Sequence, residues 1–227
     1  MVVISKAQGI LNAIRFASSL PYWERRSYLR YFLWSPLLNL RHFPHIALSP
    51  DRYLASLELP VRENSISLDL GCGEHPRNPL TCHNLFGVDL RQELAGGSIK
   101  FADLSIDDIP YEDQLFDCVS AFDFLEHIPR VVECANGSTR LSFIELMNEI
   151  HRVLAPNGYF VHLTPAYPAC LAFRDPTHVN FVTEETFPLY FCGANPWAGM
   201  YGFDRRFKLI RQVWIRNAWL LCVMQKR

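Results

Sequence analysis

Short apolar runs alternate with amphipathic segments from residue 66 to the end of the chain. The first five runs are ISLDL, NLFGVDL, SIKFADL, FDCVSAF and GYFVHLTP, which begin at residues 66, 84, 98, 116 and 158. Runs of this length, bounded by polar residues, are typical of strands that are buried on both faces. Because helical segments separate several of them, the pattern predicts a mostly parallel sheet with helices on both faces.

Residues 139–158 carry the clearest helical periodicity. Their apolar side chains form one stripe, which consists of Leu141, Ile144, Met147, Ile150, Val153 and Leu154. Pro156 and Gly158 follow as a stop signal. The pattern predicts one amphipathic helix immediately before the fifth strand.

The C-terminal tail contains two more strand-like runs, RFKLIRQVWIR and AWLLCVMQKR. Only a short turn around Asn217 separates them. A turn this short favours an antiparallel hairpin. We therefore expect the mostly parallel sheet to end in an antiparallel edge.

The first sixty residues differ in kind from the rest. Aromatic and arginine side chains dominate there, as in PYWERRSYLRYFLW at residues 21–34, and prolines interrupt the segment at positions 21, 36, 44 and 50. This pattern predicts a few short amphipathic helices separated by proline turns. We expect an N-terminal helical cap over residues 1–60 and a larger domain over residues 61–227.

The charge of the chain is balanced overall but segregated along the sequence. The 227 residues include 22 basic and 23 acidic side chains, which gives no global reason to expect a nucleic-acid partner. DNA is therefore not an expected partner, and RNA is disfavoured. Residues 61–130 hold five basic and thirteen acidic side chains, whereas residues 1–60 hold seven and three.

Cysteine spacing and the N-terminus indicate the compartment. The seven cysteines are irregularly spaced without a C-x-x-C pair, which argues against a disulfide framework or a structural zinc site. The N-terminal segment lacks the long uncharged core of a signal peptide or membrane span. We expect a cytoplasmic protein.

The segment LDLGCGEHP, residues 68–76, lacks two side chains where the first strand ends. A Gly-rich turn at this place in an α/β sheet lets a ligand approach the backbone with no Cβ in the way. For Gly71 and Gly73 alone, a tight turn without any ligand is the favoured explanation. A dinucleotide fold would need a third glycine at position 76, where this chain has proline.

Three acids end successive strands and favour a ligand-binding turn. Asp89 ends the second strand, twenty residues after Asp69, where a carboxylate can accept hydrogen bonds from ribose hydroxyls. Asp103 ends the third run, where a carboxylate can accept from the exocyclic amine of a purine. Each acid alone would be explained by a solvated loop or a helix cap. Three at the same edge of one sheet favour a nucleoside pocket.

The chain resembles the class I S-adenosylmethionine-dependent methyltransferases over residues 61–227. The resemblance is carried by LDLGCGEHP, GVDL, ADLS, FDCVSAFDFLEHI and EIHRVLAPNGYFVHLTP. It implies a Rossmann-like α/β fold with seven strands, mostly parallel, and an antiparallel C-terminal hairpin. It also implies S-adenosylmethionine as the cofactor, bound by Asp69, Gly71, Cys72, Gly73, Asp89, Leu90, Asp103, Leu104 and Phe122.

By the same resemblance, each part of the cofactor has its own residues. The glycine loop, Gly71–Gly73, would enclose the methionine part of the cofactor together with Asp69. Asp89 would hold the ribose hydroxyls. Asp103 would bind the adenine amine, with the Leu104 amide near the ring. Phe122 would lie against the cofactor. The acidic excess in residues 61–130 suits a sulfonium cation.

The acceptor of the methyl group is expected over the ends of the fourth and fifth strands. Asp123, Glu126 and His127 form a D-x-x-E-H arrangement, and a helix that began near Asp123 would bring all three to one face. His178 lies in a second polar segment, FRDPTHVNFVTEETF. In one interpretation, His127 or His178 is a general base that takes the proton of an acceptor hydroxyl.

A second interpretation of the same residues is a metal site. Two carboxylates and two histidines, Asp123, Glu126, His127 and His178, form a set suited to Mg²⁺, Mn²⁺ or Zn²⁺. Small-RNA 2′-O-methyltransferases and ubiquinone-pathway O-methyltransferases have a similar E-x-x-E-H followed by a later histidine. This chain has Asp at 123 where they have Glu. A third interpretation gives Glu126 and His127 only structural roles.

The segment DPTHVNFVTEETF resembles a motif in methyltransferase-like proteins of bacterial sugar and polysaccharide pathways. We expect Thr183 to cap a helix there, which leaves Asp175, His178 and Asn180 to face the acceptor. The N-terminal segment PYWERRSYLRYFLW is expected to be an ordinary helix with a charged face. Its alternatives are a lid over the acceptor, a peripheral membrane contact and an RNA contact.

Three function classes remain open from the sequence. The first is O-methylation of a small, oxygen-rich metabolite or glycan. The second is methyl transfer to nitrogen or carbon, although the chain reads AFDF where amino-methylating enzymes carry an Asn-Pro-Pro-Tyr type of motif. The third is a non-catalytic scaffold, which would have no need to keep the glycines and acids.

Overall fold

The computed structural model describes Arg15, Ser18, residues 46–47, 49–60 and 64–227. Its main element is an eight-stranded sheet. The strands are β1 (Ile46–Ala47), β2 (Ile66–Leu70), β3 (Asn84–Asp89), β4 (Ile99–Phe101), β5 (Phe116–Phe122), β8 (Leu154–Pro165), β9 (Phe207–Ile215) and β10 (Trp219–Lys226). A separate two-stranded hairpin pairs β6 (Val132–Glu133) with β7 (Thr139–Arg140).

The strand order in the sheet is β1-β9-β10-β8-β5-β2-β3-β4. The central strands are parallel, and β10 is antiparallel to both β8 and β9. The predicted seven strands and the C-terminal hairpin are confirmed, and β1 adds a two-residue pairing beside β9. Arg216 and Asn217 both have positive φ, which is the conformation of a tight hairpin turn.

Four α-helices are described: α1 (Pro50–Ala55), α2 (Ser142–Val153), α3 (Leu171–Arg174) and α4 (Thr186–Phe191). The predicted helix over residues 139–158 corresponds to α2, which ends earlier because Leu154 turns extended and pairs with Phe116 as the start of β8. Thr183 does not cap α4. Its hydroxyl accepts from the Glu185 N–H in a turn that precedes the helix. None of the described helices is long and apolar enough to cross a membrane.

The core covers both faces of the sheet, as the alternation of side chains along β5 requires. Val119 and Ala121 pack in one apolar cluster together with Met147 of α2. Cys118 and Phe122 point the other way and pack with Leu54 of α1. The rest of the predicted N-terminal cap, including PYWERRSYLRYFLW, lies outside the described residues. The helix predicted there and its lid, membrane and RNA alternatives therefore stay predictions. The domain boundary at residue 60 stays a prediction.

Candidate active site

The glycine loop leaves β2 with two residues in the left-handed region. Gly71 has φ +66° and Gly73 has φ +62°, a conformation that glycine adopts without strain. The N–H groups of Gly71 and Cys72 both donate to the Val88 carbonyl, which ties the loop to β3. A Cβ on Gly71 would overlap the Phe124 ring. The missing side chain therefore leaves room for an aromatic ring of the chain itself.

Asp69 braces the loop from inside. Its carboxylate accepts from Ser120 Oγ at 2.6 Å and from the Arg77 N–H at 2.8 Å. Burial raises the pKa of Asp69 to about 6, although both hydrogen bonds favour the charged form. Both oxygens are therefore bonded within the fold, and these two bonds hold the loop in shape.

Asp89 closes the other side of the loop at the end of β3. One carboxylate oxygen accepts from the Gly73 N–H at 2.7 Å. The other accepts from the backbone N–H of Arg91 at 3.0 Å and from its Nε at 2.9 Å. Burial opposes the charge, but these hydrogen bonds outweigh it and lower the pKa of Asp89 below its usual value.

The remaining residues implied for the cofactor are spread around this edge. Asp103 follows β4, and its carboxylate accepts from the Ser105 N–H at 3.0 Å. Leu104 is buried and Leu90 is exposed. Cys72 is buried against Gly87, and a Cβ placed on Gly87 would lie 2.5 Å from the Cys72 Sγ.

Phe122 occupies a different environment from the other implied cofactor residues. Its ring packs in the apolar cluster on the α1 face of the sheet. The Arg77 guanidinium lies 4.9 Å from the ring centroid, within cation–π range. Its predicted contact with the cofactor stays a prediction.

A second site lies over the ends of β5 and β8, beside the glycine loop. It is a cleft of about 410 Å³ lined by Asp123, Glu126, His127, Pro165, Leu171, Arg174, Asp175, Pro176, His178 and Trp219. Phe124 connects the two sites, since its ring contacts Gly71 and its chain neighbour is Asp123. The sequence-predicted acceptor residues therefore meet within one cleft next to the loop, with one exception at Asn180.

No α-helix begins at Asp123, so the condition under which Asp123, Glu126 and His127 would share one helical face is not met. Asp123 has φ +50°, and the chain makes only one 3-10 turn over Leu125–His127. The Asp123 N–H donates to the Leu163 carbonyl of β8 at 2.8 Å, a tertiary contact that fixes the reversal. The Asp123 carboxylate accepts from Trp219 Nε1 at 2.7 Å.

Glu126 is a buried acid with an unsatisfied oxygen. Only 2% of the residue is exposed. Oε2 accepts from Thr164 Oγ1 at 2.8 Å, while Oε1 has no hydrogen-bond partner among the described residues. Burial, reinforced by repulsion from Asp123 and Asp175, raises the pKa of Glu126 to about 7.

The two histidines lie edge to face with ring centroids 4.8 Å apart. His178 Nδ1 lies 3.2 Å from the Ala172 carbonyl, so in the neutral ring Nδ1 carries the proton and Nε2 is the basic nitrogen. His127 Nδ1 contacts Thr177 Oγ1 at 3.1 Å, and that hydroxyl donates to Asp175 at 2.6 Å. His127 therefore donates from Nδ1 and also keeps Nε2 as its acceptor.

One side-chain donor atom from each of Glu126, His127 and His178 lies within 4.8 Å of the others. The Asp123 carboxylate is outside this group. Asn180, expected to face the acceptor, instead bonds Arg130 Nε at 2.9 Å and the Leu125 carbonyl at 3.2 Å. The N–H groups of Val179 and Asn180 both donate to the Glu126 carbonyl. These bonds and those of the Asn180 side chain anchor the segment that carries His178 to the 3-10 turn.

Two residues that contact the predicted site residues, Arg91 and Trp219, were not expected from the sequence, whereas Phe124 and Thr164 lie in the candidate segments DFLEHIP and LTPAYP. Arg91 lies only two positions after Asp89, and an arginine so placed is a local signal that could have been noticed. Trp219 is separated from Asp123 by 96 residues, so no local pattern connects them.

Residues 41–195 match the family model described as "Methyltransferase domain". The chain belongs to this methyltransferase family. No curated protein matches the chain by sequence. The expected identity as a class I S-adenosylmethionine-dependent methyltransferase is confirmed.

Solved structures agree on the fold of this methyltransferase. The PH0226 protein from Pyrococcus horikoshii is 16% identical with a TM-score of 0.53, and the match covers 78% of this chain and 87% of that one. A chain in the Haloferax volcanii complex of the Trm112 methyltransferase activator is 17% identical with a TM-score of 0.52, covering 78% and 89%. A SAM-dependent methyltransferase from Aquifex aeolicus is 15% identical with a TM-score of 0.50, covering 79% and 90%.

Proposed function

We propose that this methyltransferase transfers the methyl group of S-adenosylmethionine to a hydroxyl oxygen of a small, oxygen-rich metabolite or glycan. The observation that carries the proposal is the cleft beside the glycine loop, where His178 presents a basic Nε2 next to His127 and a buried Glu126. An alcohol needs a proton acceptor as its oxygen attacks, whereas a neutral amine does not.

The chain's own residues fit the cofactor. Gly73 leaves the loop backbone without a Cβ atom, and Asp89 places at this edge the carboxylate that a ribose diol needs, with the Arg91 side chain now bonded to it. Asp103, one strand further along the same edge, is proposed to face the adenine amine. The bound sulfonium supplies an activated methyl group, and the acidic side chains around the cleft favour a cation there.

In this mechanism the protein orients the acceptor and accepts its proton. The hydroxyl proton passes to Nε2 of His178, while the hydrogen bond from Nδ1 to the Ala172 carbonyl holds the ring in place. Glu126 and His127 lie close enough to stabilise the resulting imidazolium. Positioning and the exclusion of water then supply most of the rate enhancement.

The test starts with binding and proceeds to acceptors. Calorimetry with S-adenosylmethionine should show binding by the wild type and loss of binding in Asp89→Ala. Labelled cofactor is then incubated with a panel of neutral sugars, glycosides, nucleotide sugars and matched amino sugars. Nuclear magnetic resonance locates the methyl group in any product. A methyl found on nitrogen or carbon would replace this proposal with the second function class, and cofactor binding without transfer to any acceptor would favour a scaffold.

A metal at the cleft is a second candidate, favoured by one observation. Glu126, His127 and His178 place three donor atoms within 4.8 Å of one another, and Oε1 of Glu126 has no partner among the described residues. Two histidines and one carboxylate suit Zn²⁺ or Mn²⁺ better than Mg²⁺, which prefers oxygen ligands. Asp123 contributes less than the resemblance implied, because Trp219 holds its carboxylate outside the group.

The metal candidate has its own readout. Titration with Zn²⁺, Mn²⁺ or Mg²⁺ alone should give heat in the wild type that is lost in His178→Asn. Methyl transfer should also stop with a chelator and recover on metal addition. No heat and full activity in chelator would leave His178 as a general base without a metal.

A further inference from the structure

The carboxylate proposed to hold the ribose is covered by another side chain. Only 9% of the Asp89 side chain is exposed, whereas its ion-pair partner Arg91 is 50% exposed. The exposed guanidinium therefore contacts a carboxylate that is itself almost inaccessible.

The hydrogen-bond capacity of Asp89 is also fully used. An ionised carboxylate offers roughly four lone-pair positions. Gly73 N–H, Arg91 N–H and Arg91 Nε fill three of them at 2.7, 3.0 and 2.9 Å, and Arg91 Nη2 lies near the fourth at 3.4 Å. Two of these four donors belong to the Arg91 side chain.

The same guanidinium lies over the glycine loop. A Cβ built on Gly73 would be 3.2 Å from Arg91 Nη2, so the space left by the missing side chain is partly filled by arginine. Backbone donors to Asp89 are fixed by the fold. The Arg91 side chain is the part that can leave.

We propose that Arg91 sets the affinity of the site for the cofactor nucleoside, because its guanidinium competes with the ribose hydroxyls for the carboxylate of Asp89. The inference rests on the proposed role of Asp89. On binding, Arg91 Nε and Nη2 give up their hydrogen bonds and two ribose hydroxyls donate in their place. Glu74 and Glu93 both attract Arg91, so the released guanidinium has acidic neighbours.

The test is calorimetry of the full chain with S-adenosylhomocysteine, which keeps the ribose and is chemically stable. Arg91→Met retains an unbranched side chain but removes the competing donors, and it should bind roughly two- to fivefold more tightly than the wild type. Arg91→Lys should fall between them. The matched control is Arg205→Met, which removes an exposed arginine paired with its neighbour Asp204 at 3.0 Å and should change nothing.

Two further measurements separate competition from other effects. In an Asp89→Asn background, Arg91→Met should lose its effect, because the partner for which both groups compete is gone. Raising the salt concentration should narrow the gap between wild type and Arg91→Met, since the ion pair is screened.

The alternatives have distinct outcomes. Weaker binding by Arg91→Met would overturn the inference and make Arg91 a direct contact of the cofactor. Equal binding would overturn it as well. Binding by Arg91→Met alone, with none by the wild type, would be its strongest support. If neither protein binds, the inference falls together with the role of Asp89, whereas equal binding leaves that role standing.

Discussion

In the glycine loop, the carboxylates of Asp69 and Asp89 receive hydrogen bonds from the chain on both oxygens. In the cleft beside the loop, one oxygen of Glu126 has no partner among the described residues, and the imidazoles of His127 and His178 keep a basic nitrogen. The two regions lie at the same edge of one sheet. The loop is therefore held rigid by its own polar groups, whereas the cleft retains hydrogen-bonding capacity for a ligand, a proton or a metal.

The largest expected effect separates the two regions by function. His178→Asn should lower the rate of methyl transfer by about 10²–10⁴-fold, because the proposed general base is lost, and should leave cofactor affinity within about twofold. Asp89→Ala should do the reverse and abolish most of the cofactor binding. Single-turnover rates and calorimetry measure the two quantities independently. If His178→Asn also abolished cofactor binding, the division into a loop and a cleft would be wrong.

The next effect concerns the contact between the two regions. Gly71→Ala introduces a Cβ that overlaps the Phe124 ring in a residue with positive φ, whereas Gly97→Ala meets the same backbone strain with nothing within 4 Å. Gly97→Ala should cost about 1 kcal/mol. Gly71→Ala should cost about 1–3 kcal/mol more from overpacking.

Urea denaturation gives both values, and the pair serves as its own control. Phe124→Ala in the Gly71→Ala background should restore part of the loss, because it removes the ring that the new methyl group meets. Equal costs for the two glycine variants would show that Phe124 moves aside freely and does not couple the loop to the cleft.

The sequence predicted the loop more completely than the cleft, for a physical reason. Strands such as β2 and β5 are buried on both faces, so their apolar runs are visible locally, and an acid or glycine at a strand end has a defined place in the sheet. The turn after β5 depends instead on a contact from Asp123 to Leu163 of another strand. That contact produces a 3-10 turn where local spacing had suggested an α-helix.

The roles of individual side chains were less predictable than their positions. Asn180 and His178 lie close together in one polar segment. Asn180 is buried and accepts a hydrogen bond from Arg130, whereas His178 faces the cleft. Gly71 was predicted to admit a ligand, but the nearest group is the Phe124 ring. These distinctions depend on which distant residue packs against each site, and a single sequence does not contain that information in local form.

The comparison of the two buried acids predicts opposite changes in stability at pH 8. Asp69→Ala should destabilise by about 1–3 kcal/mol, because it leaves the Arg77 N–H and the Ser120 hydroxyl without the oxygens that now accept from them. Glu126→Gln should stabilise the protein at this pH by roughly 1–3 kcal/mol, because it removes a buried charge with an unpaired oxygen.

The sign follows from the direction of the shift. The pKa of Glu126 is raised from 4.5 to about 7 in the folded state. The contribution of Glu126 to the free energy of unfolding is therefore fully present below pH 4.5 and is lost as the pH rises through 7. Chemical denaturation at pH 5 and pH 8, with a chelator present, should show the advantage of Glu126→Gln mainly at pH 8. Destabilisation by Glu126→Gln at pH 8 would mean that the carboxylate has a partner in solution.

The smallest effect tests the hydrogen bond from Trp219 to Asp123, two residues that line the cleft. Trp219→Phe keeps the ring but removes the indole donor to Asp123, and should cost about 1 kcal/mol of stability. The acceptor KM should rise severalfold with cofactor affinity unchanged, since Asp123 lines the cleft and not the loop. Trp197→Phe is the control, because Trp197 is half-exposed, contacts Tyr190 and lies outside the cleft lining. A change in cofactor affinity with Trp219→Phe would show that the two regions share Asp123. The difference between a loop whose carboxylates are hydrogen-bonded within the chain and a cleft with unused hydrogen-bonding atoms would then hold only for Glu126 and the histidines.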